Sequence, residues 1–137
     1  MGELLEVNVF GNDYPTSDGT GIRDYIHVVD LSKAHLKALD YIQNKTGCCI
    51  HNIGTGTGYS VLEMIKTFEK ESGLNIPYKI AKRRHGDITV SYADPTKAQK
   101  ELGWTATKSL SDMCKDTIRF LYNPKELQLL CSKVDKA

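Results

Sequence analysis

Short apolar runs alternate along this chain with amphipathic helical patterns, and this alternation limits the possible folds more than any other feature of the sequence. Four runs rich in β-branched and aromatic residues predict strands, at residues 5–10, 24–29, 48–53 and 77–81. Helical patterns lie between or after them, at residues 31–44, 61–72, 95–102 and 110–122. This order predicts an α/β fold with few strands.

Polar capping residues mark the start of each predicted helix. Asp30 is predicted to cap the first helix, whereas Ser60 and Glu63 have the spacing of a capping box before the second. Asp94 precedes a proline at the first position of the third helix, and Ser109 is predicted to cap the last. Three helices have an apolar face in the pattern. It is made of Leu31, Ala34, Ala38, Leu39 and Ile42 in the first helix, of Val61, Met64, Ile65 and Phe68 in the second, and of Leu110, Met113, Cys114, Thr117, Ile118 and Leu121 in the last.

The composition is that of one soluble domain of 137 residues, long enough for a core of its own. The net charge is +1 and the basic residues are dispersed, which argues against binding to nucleic acid or an anionic membrane. The four cysteines form no C-x-x-C pair, and no histidine spacing fits a metal site, so no metal is expected. Without a signal-peptide pattern or an apolar stretch of about 20 residues, the chain is expected to be cytoplasmic with reduced thiols.

Two patterns that occur in cofactor-dependent enzymes are expected to be structural or coincidental. Residues 54–58, GTGTG, join a predicted strand to a helix, but Tyr59 stands where the dinucleotide fingerprint needs its third glycine, so a tight turn is expected. Tyr41 and Lys45 have the Tyr-x-x-x-Lys spacing only at a helix end. A second such pair, at residues 78 and 82, lies on a predicted strand that would separate the side chains by roughly 13 Å.

Arginines stand beside two predicted strand ends. Arg23 lies between a glycine-rich loop and the strand at 24–29, and Arg84 precedes Asp87 in the loop after the strand at 77–81. A guanidinium presents a planar fork that matches phosphate oxygens, and a carboxylate accepts hydrogen bonds from sugar hydroxyls. The residues alone leave two interpretations open, a pair of arginines that clamps a diphosphate and ordinary solvated surface arginines.

Four motifs, in order and spacing, resemble the C-terminal portion of the UDP-glucose 4-epimerases: VFGNDYPTSDGTGIRDYIHVVDLSKAH, HNIGTGTGYSVLEM, PYKIAKRRHGD and ADPTKAQKELGW. The resemblance covers about residues 5–122 and implies the C-terminal substrate-binding portion of an extended short-chain dehydrogenase/reductase, with few strands, packed helices and the Rossmann half missing. Residues 1–122 would then be a UDP-sugar-binding domain, followed by a weakly ordered tail at residues 123–137.

The resemblance also implies an activity, that of an isomerase of galactose metabolism. In this family, NAD takes a hydride from C4 of the sugar, the keto sugar turns over, and the hydride returns to the other face, which interconverts UDP-glucose and UDP-galactose. The NAD site and the catalytic Tyr-x-x-x-Lys belong to the Rossmann half, so this chain alone is expected to bind no cofactor, to carry no catalytic residue and to be inactive. The complete enzyme is expected to be a homodimer formed through the missing half.

The resemblance implies the following substrate-binding residues: Asn8, Val9, Phe10, Arg23, Tyr25, Val61, Arg84, His85, Gly86, Asp87 and Ser91. Residues 8–10 would grip the uracil largely through backbone groups, while Arg23 and Arg84 would hold the diphosphate. Asp87 would bond the ribose.

The remaining positions are expected to surround that core of the site. Tyr25 would lie beside the first arginine, and Val61 would line the nucleotide pocket. His85 stands where the family usually has glutamate. Ser91 would line the hexose pocket, where some bacterial relatives have tyrosine, and its small size predicts room for an N-acetyl group, and hence use of UDP-GlcNAc and UDP-GalNAc.

Two alternatives accompany this interpretation. One is a fragment of a related nucleotide-sugar dehydratase or decarboxylase, against which the run VFGNDYPTSDGTGIRDY argues. The other is a non-catalytic nucleotide-sugar-binding module or truncated isoform.

Overall fold

The computed structural model describes residues 6–122. Along the described chain the elements are β1 (Val7–Phe10), β2 (Ile22–Arg23), α1 (Val28–Ile42), β3 (Tyr59–Ser60), α2 (Val61–Ser72), β4 (Tyr78–Ala81), β5 (Val90–Ser91), α3 (Thr96–Leu102) and α4 (Leu110–Leu121). The predicted α/β class with few strands is confirmed.

The strands form two small sheets. In the first, β1 pairs with β4 in parallel, with Val7 opposite Tyr78. In the second, β2 lies in the centre, antiparallel to β3 and parallel to β5. Arg23 of β2 is therefore flanked by Tyr59 on one side and Ser91 on the other, which brings three distant segments to one point.

The helices pack in two pairs. Between α1 and α3, Ala34, Ala98, Leu102 and Trp104 form a buried cluster. The second pair, α2 and α4, is in contact through sulfur atoms as well, because Cys114 Sγ lies 4.0 Å from Met64 Sδ. None of the helices in the described part is long and apolar enough to cross a membrane.

The locally encoded helix ends are where the sequence predicts them. The Ser60 hydroxyl accepts from the Glu63 backbone N–H at 3.0 Å, and the Glu63 carboxylate accepts from the Ser60 N–H at 2.7 Å, which completes the capping box of α2. Gly73 ends α2 in the left-handed conformation, at φ +70°. Ser109 caps α4, where Asp112 completes a second capping box.

The strand predicted at residues 24–29 is wrong. β2 ends at Arg23, and His27 caps α1 by accepting from the Val29 N–H at 3.0 Å. Asp30, the predicted cap, lies inside the first turn of α1, where its carboxylate accepts from the N–H groups of Thr107 and Lys108 at 2.8 Å. Contacts from distant segments thus override the strand propensity of this stretch.

Two further predictions about packing and pairing differ from the structure. On the expected apolar face of α1 only Ala34 is buried, whereas Leu39 and Ile42 are 56% and 51% exposed. Residues 48–53 form no strand, because no neighbouring strand pairs with them in the described part of the chain, and Ile50 is 72% exposed.

The third helix begins at Thr96, with the Asp94 carboxylate accepting from the Thr96 N–H. The predicted tail at 123–137 lies outside the described residues.

A single carboxylate fastens the end of β2 to two other segments. Asp24 accepts hydrogen bonds from the Thr55 N–H and hydroxyl at 3.0 and 2.6 Å, from the Gly56 N–H at 3.1 Å and from the Ala93 N–H at 3.2 Å. Burial opposes ionisation of Asp24, but these hydrogen bonds outweigh it and lower the pKa of the carboxyl. A Cβ at Gly54 would stand 2.5 Å from an oxygen of Asp24, so glycine is needed for this close approach.

The lowered pKa of Asp24 makes stability depend on pH in a defined direction. Its contribution is fully present above the ordinary pKa of 3.8 and is lost as the pH falls through the lower folded value. Asp24→Asn is expected to reduce the free energy of unfolding at pH 7 by about 1–3 kcal/mol, since the charge is lost and one of the two acceptor oxygens becomes an NH2 group that faces other donors. The difference from wild type should shrink below pH 4, as measured by urea unfolding at pH 7, 5 and 3.5.

Asp40→Asn is the matched control, because Asp40 is an exposed carboxylate on α1. It should unfold like the wild type throughout this pH range. An Asp24→Asn protein with the wild-type stability at pH 7 would contradict the role given to this carboxylate.

Candidate functional site

A cavity of about 250 Å³ lies where β1, β2, the start of α2 and the loop after β4 meet. Its walls are formed by Asn8, Phe10, Tyr14, Gly21, Arg23, Tyr25, Val61, Arg84 and Asp87. The structure therefore brings together, around one hollow, most of the positions singled out in the sequence, although they come from four separate segments.

Two guanidinium groups converge on one carboxylate in this cavity. Arg23 Nη2 lies 3.9 Å from Asp87 Oδ1, and Arg84 Nε donates to Asp87 Oδ2 at 2.9 Å. Arg23 Nη1 also donates to the Ile22 carbonyl at 2.7 Å, which directs its side chain. Two cations that share one anion leave net positive charge at this wall, so the arrangement is suited to an anionic ligand.

Alternation along β1 decides which of residues 8–10 face the cavity. Asn8 and Phe10 lie on the cavity side, while the Val9 side chain points the other way and is fully buried. The Arg84 guanidinium lies over the Phe10 ring, 4.7 Å from its centroid. The side chain of Val9 is therefore not brought into the cavity.

The glycine-rich loop before β2 is held by a second, partly buried carboxylate. Asp18 accepts from the Thr20 N–H and hydroxyl at 2.9 and 2.8 Å and from the Ser60 hydroxyl at the start of α2. Burial of Asp18 opposes its ionisation, but the hydrogen bonds outweigh it and lower its pKa. Gly19, at φ +79°, closes the turn where a Cβ would clash with the Asn12 carbonyl. Arg23 thus leaves a backbone that is fixed at both ends of β2.

A second cavity, of about 500 Å³, adjoins the first and shares Arg23 with it. Ser91 lies in this second cavity, directly across the β2–β5 pairing from Arg23, with Asp24 and Tyr92. The structure therefore does not group Ser91 with the other predicted residues, but places it on the far side of Arg23.

Besides Val9, two predicted residues line neither of these two cavities. His85 is exposed, and Gly86 forms the turn between Arg84 and Asp87 at φ +84°. The Asp87 N–H donates to the Arg84 carbonyl at 3.3 Å across this turn. Gly86 consequently acts on the cavity through the position of Asp87.

The wall residues Tyr14 and Gly21 were not predicted from the sequence. Both belong to the quoted loop motif, where an aromatic residue among turn formers was the available signal. A Cβ at Gly21 would lie 3.4 Å from Arg23 Nη1, an ordinary van der Waals contact, so Gly21 lies directly beside the guanidinium.

The structure gives no support to cofactor chemistry at the two sequence patterns considered above. In residues 54–58, the Thr55 and Gly56 amides that a phosphate-binding loop would offer are already donated to Asp24. The Tyr41 hydroxyl donates to Glu101 at 3.0 Å, and this hydrogen bond raises the tyrosine pKa, the opposite of what a catalytic tyrosine needs. No group of three His, Cys, Asp or Glu side chains within residues 6–122 could hold a metal ion.

Both the sequence and the fold of this chain are similar to those of known proteins. The sequence model of the GDP-mannose 4,6 dehydratase family matches residues 2–117. UDP-glucose 4-epimerases of Bacillus subtilis and Homo sapiens are 59% and 57% identical over 120 residues, which make up 88% of this chain and 35% and 34% of theirs.

Among solved structures, the UDP-glucose 4-epimerase of Bifidobacterium longum in complex with NAD+ and UDP superposes with a TM-score of 0.84 at 53% identity. The match covers 91% of this chain and 37% of that one. The chain thus spans about a third of the length of the curated relatives it matches.

Proposed function

We propose that this chain, which belongs to the GDP-mannose 4,6 dehydratase family and is homologous to the UDP-glucose 4-epimerases, forms the UDP-sugar-binding part of such an epimerase. The intact protein would interconvert UDP-glucose and UDP-galactose. Residues 1–122 would form the binding domain.

The observation that carries this proposal is the convergence of Arg23 and Arg84 on Asp87 in one cavity. A diphosphate offers both guanidinium groups charged oxygen acceptors at once, in the planar geometry that they prefer. Once the arginines turn to the phosphates, the Asp87 carboxylate is free to accept hydrogen bonds from ribose hydroxyls.

The two adjoining cavities fit an elongated ligand. The smaller one has the aromatic and apolar walls Phe10, Tyr25 and Val61, which suit a nucleoside. The larger one, with Ser91, is open and polar, which suits a hexose. Because Arg23 belongs to both, a pyrophosphate would lie at their junction.

The hydride chemistry would come from outside this chain. NAD, when bound in the complete enzyme, would accept the hydride from C4 of the sugar and return it. The residues described in this chain would bind the nucleotide and hold its phosphates, so that the hexose can turn while its anchor stays fixed. We propose that the chain alone binds no NAD and is inactive, and that the complete enzyme is a cytoplasmic homodimer.

The alternatives differ in the activity that they predict for the complete protein. The family model carries the name of a dehydratase, but identities of 59% and 57% to two epimerases favour the epimerase. A non-catalytic binding module would also bind UDP, and joining the chain to a Rossmann half from a relative would distinguish it, because the module would not restore epimerase activity.

Isothermal titration of the 137-residue chain with UDP tests the proposed site. Binding is expected, and Arg23→Gln and Arg84→Gln should each weaken it about tenfold to a hundredfold, since each removes a charged hydrogen bond to the diphosphate. Both variants should weaken binding of uridine much less, because uridine has no phosphate.

Arg119→Gln serves as the matched control, since Arg119 forms an ion pair with Asp116 on α4, three residues away as in Arg84–Asp87. It should bind UDP like the wild type. If UDP does not bind, or if both cavity arginines can be removed without loss of affinity, the proposal fails.

Ser91 tests the choice of hexose in the complete enzyme. Ser91→Tyr is expected to lower the ratio of UDP-GlcNAc to UDP-glucose turnover by about tenfold or more, because the phenol ring would fill the space of the N-acetyl group. Ser91→Ala, which keeps the site small, provides the comparison. An unchanged ratio in Ser91→Tyr would remove the predicted acceptance of N-acetylated sugars through this residue.

A further inference from the structure

Arg83 and Arg84 are neighbours in sequence but serve different sides of the cavity wall. Arg84 lines the cavity, whereas Arg83 lies outside it, against the loop that follows β1. Arg83 Nε donates to Asp13 Oδ1 at 2.7 Å, and Arg83 Nη2 donates to the Asp13 backbone carbonyl. The hydrogen bond to Arg83 lowers the pKa of Asp13, so the pair stays charged at neutral pH.

The same guanidinium covers one face of an aromatic wall residue. Arg83 Cζ lies 3.9 Å from the ring centroid of Tyr14, which lines the cavity and is only 5% exposed. The buried Tyr14 hydroxyl has no hydrogen-bond partner within the described residues. Buried tyrosines are usually oriented by such a bond, so in the described structure packing and the stack on Arg83 hold this ring in place.

Gly11 shows how closely this unit is packed. A Cβ at Gly11 would stand 2.6 Å from Tyr14 Cε2 and 2.8 Å from Arg83 Cγ, and its φ of +86° also favours glycine. The Gly11 N–H donates to the Ala81 carbonyl at 2.8 Å, which continues the β1–β4 pairing into the loop. The loops after β1 and β4 are thus joined at the back of the cavity wall.

We propose that Arg83 is a positioning residue for nucleotide binding. Its hydrogen bonds to Asp13 and its stack on Tyr14 fix the cavity wall, and they fix the backbone from which Arg84 reaches the phosphates. The inference rests on the proposed function of the cavity. It assigns to Arg83 an effect on affinity that acts through Tyr14 and Arg84, without contact between Arg83 and the ligand.

Two substitutions separate this role from simple attraction between charges. Arg83→Lys keeps the positive charge but loses the planar fork and the stack, so UDP binding is expected to weaken about three- to tenfold. Asp13→Asn removes a negative charge, which by charge alone would favour an anionic ligand. The positioning role predicts weaker UDP binding for Asp13→Asn instead, because the grip on Arg83 is reduced.

The experiment is isothermal titration of the 137-residue chain and its variants with UDP, at a temperature where urea unfolding shows each to be folded. The double variant, with Arg83→Lys and Asp13→Asn together, should lose no more binding free energy than the sum of the two single losses, since both substitutions loosen the same unit. The salt dependence of UDP affinity should be the same in Arg83→Lys as in the wild type, because lysine keeps the positive charge. A general loss of structure need not leave the salt dependence unchanged. Arg119→Lys is the matched control, because Arg119 is an exposed arginine that belongs to another ion pair.

The outcomes of this experiment are distinguishable. Wild-type affinity in Arg83→Lys, or tighter UDP binding in Asp13→Asn, would overturn the positioning role while leaving the proposed function intact. Absence of UDP binding by the wild-type chain would overturn both. Weaker binding in the two variants, with an unchanged control, would support the inference.

Discussion

The hydrogen bonds accepted by Asp24 are the constraint on which the rest of the site depends. This carboxylate holds the loop at residues 54–58 and the backbone at Ala93 against the end of β2. Arg23 directly precedes it, and Ser91 lies two residues before Ala93. The positions of both cavities relative to each other therefore follow from one side chain that itself lies outside the strands and helices of the structure.

Carboxylates that accept hydrogen bonds from backbone N–H groups recur in this protein because the strands are short. β2, β3 and β5 have only two residues each, so the ladder between them can satisfy few backbone groups. Asp18 and Asp30 accept backbone N–H groups from the loops that the ladder leaves unpaired, at Thr20 and at Thr107 and Lys108. Buried and partly buried carboxylates thus supply order that longer strands provide in other α/β proteins, and they do so where loops form the walls of the site.

Features encoded within one turn of the chain could be predicted from the sequence, and features that need distant partners could not. The capping residues Ser60 and Ser109 and the stop at Gly73 act on their own helices, and all three were predicted correctly. Residues 24–29 have strand propensity, but the partners that hold His27 and Asp30 in place, Asp116 for the first and Thr107 for the second, lie far away in sequence. Propensity alone cannot weigh such contacts.

The residues of the candidate site are likewise divided into those that local sequence could predict and those that depend on distant partners. Residue chemistry left Arg23 and Arg84 open to two interpretations, because their convergence depends on the pairing of β2 with β5 and on the turn at Gly86. The resemblance to the epimerases supplied their expected roles. Tyr14 was missed because its place in the wall is set by Arg83, which lies far away in sequence.

The ion pairs of Asp87 have a consequence for selectivity. This carboxylate contacts both guanidinium groups, so an anion that bound to them would compete with a tethered one. A small singly charged ion would replace only part of that interaction and would leave the carboxylate, which is 23% exposed, beside it. Under the proposed function, a ligand with two linked phosphates and a vicinal diol would replace both contacts and give the displaced oxygens new donors, so the carboxylate would favour it over common cellular anions.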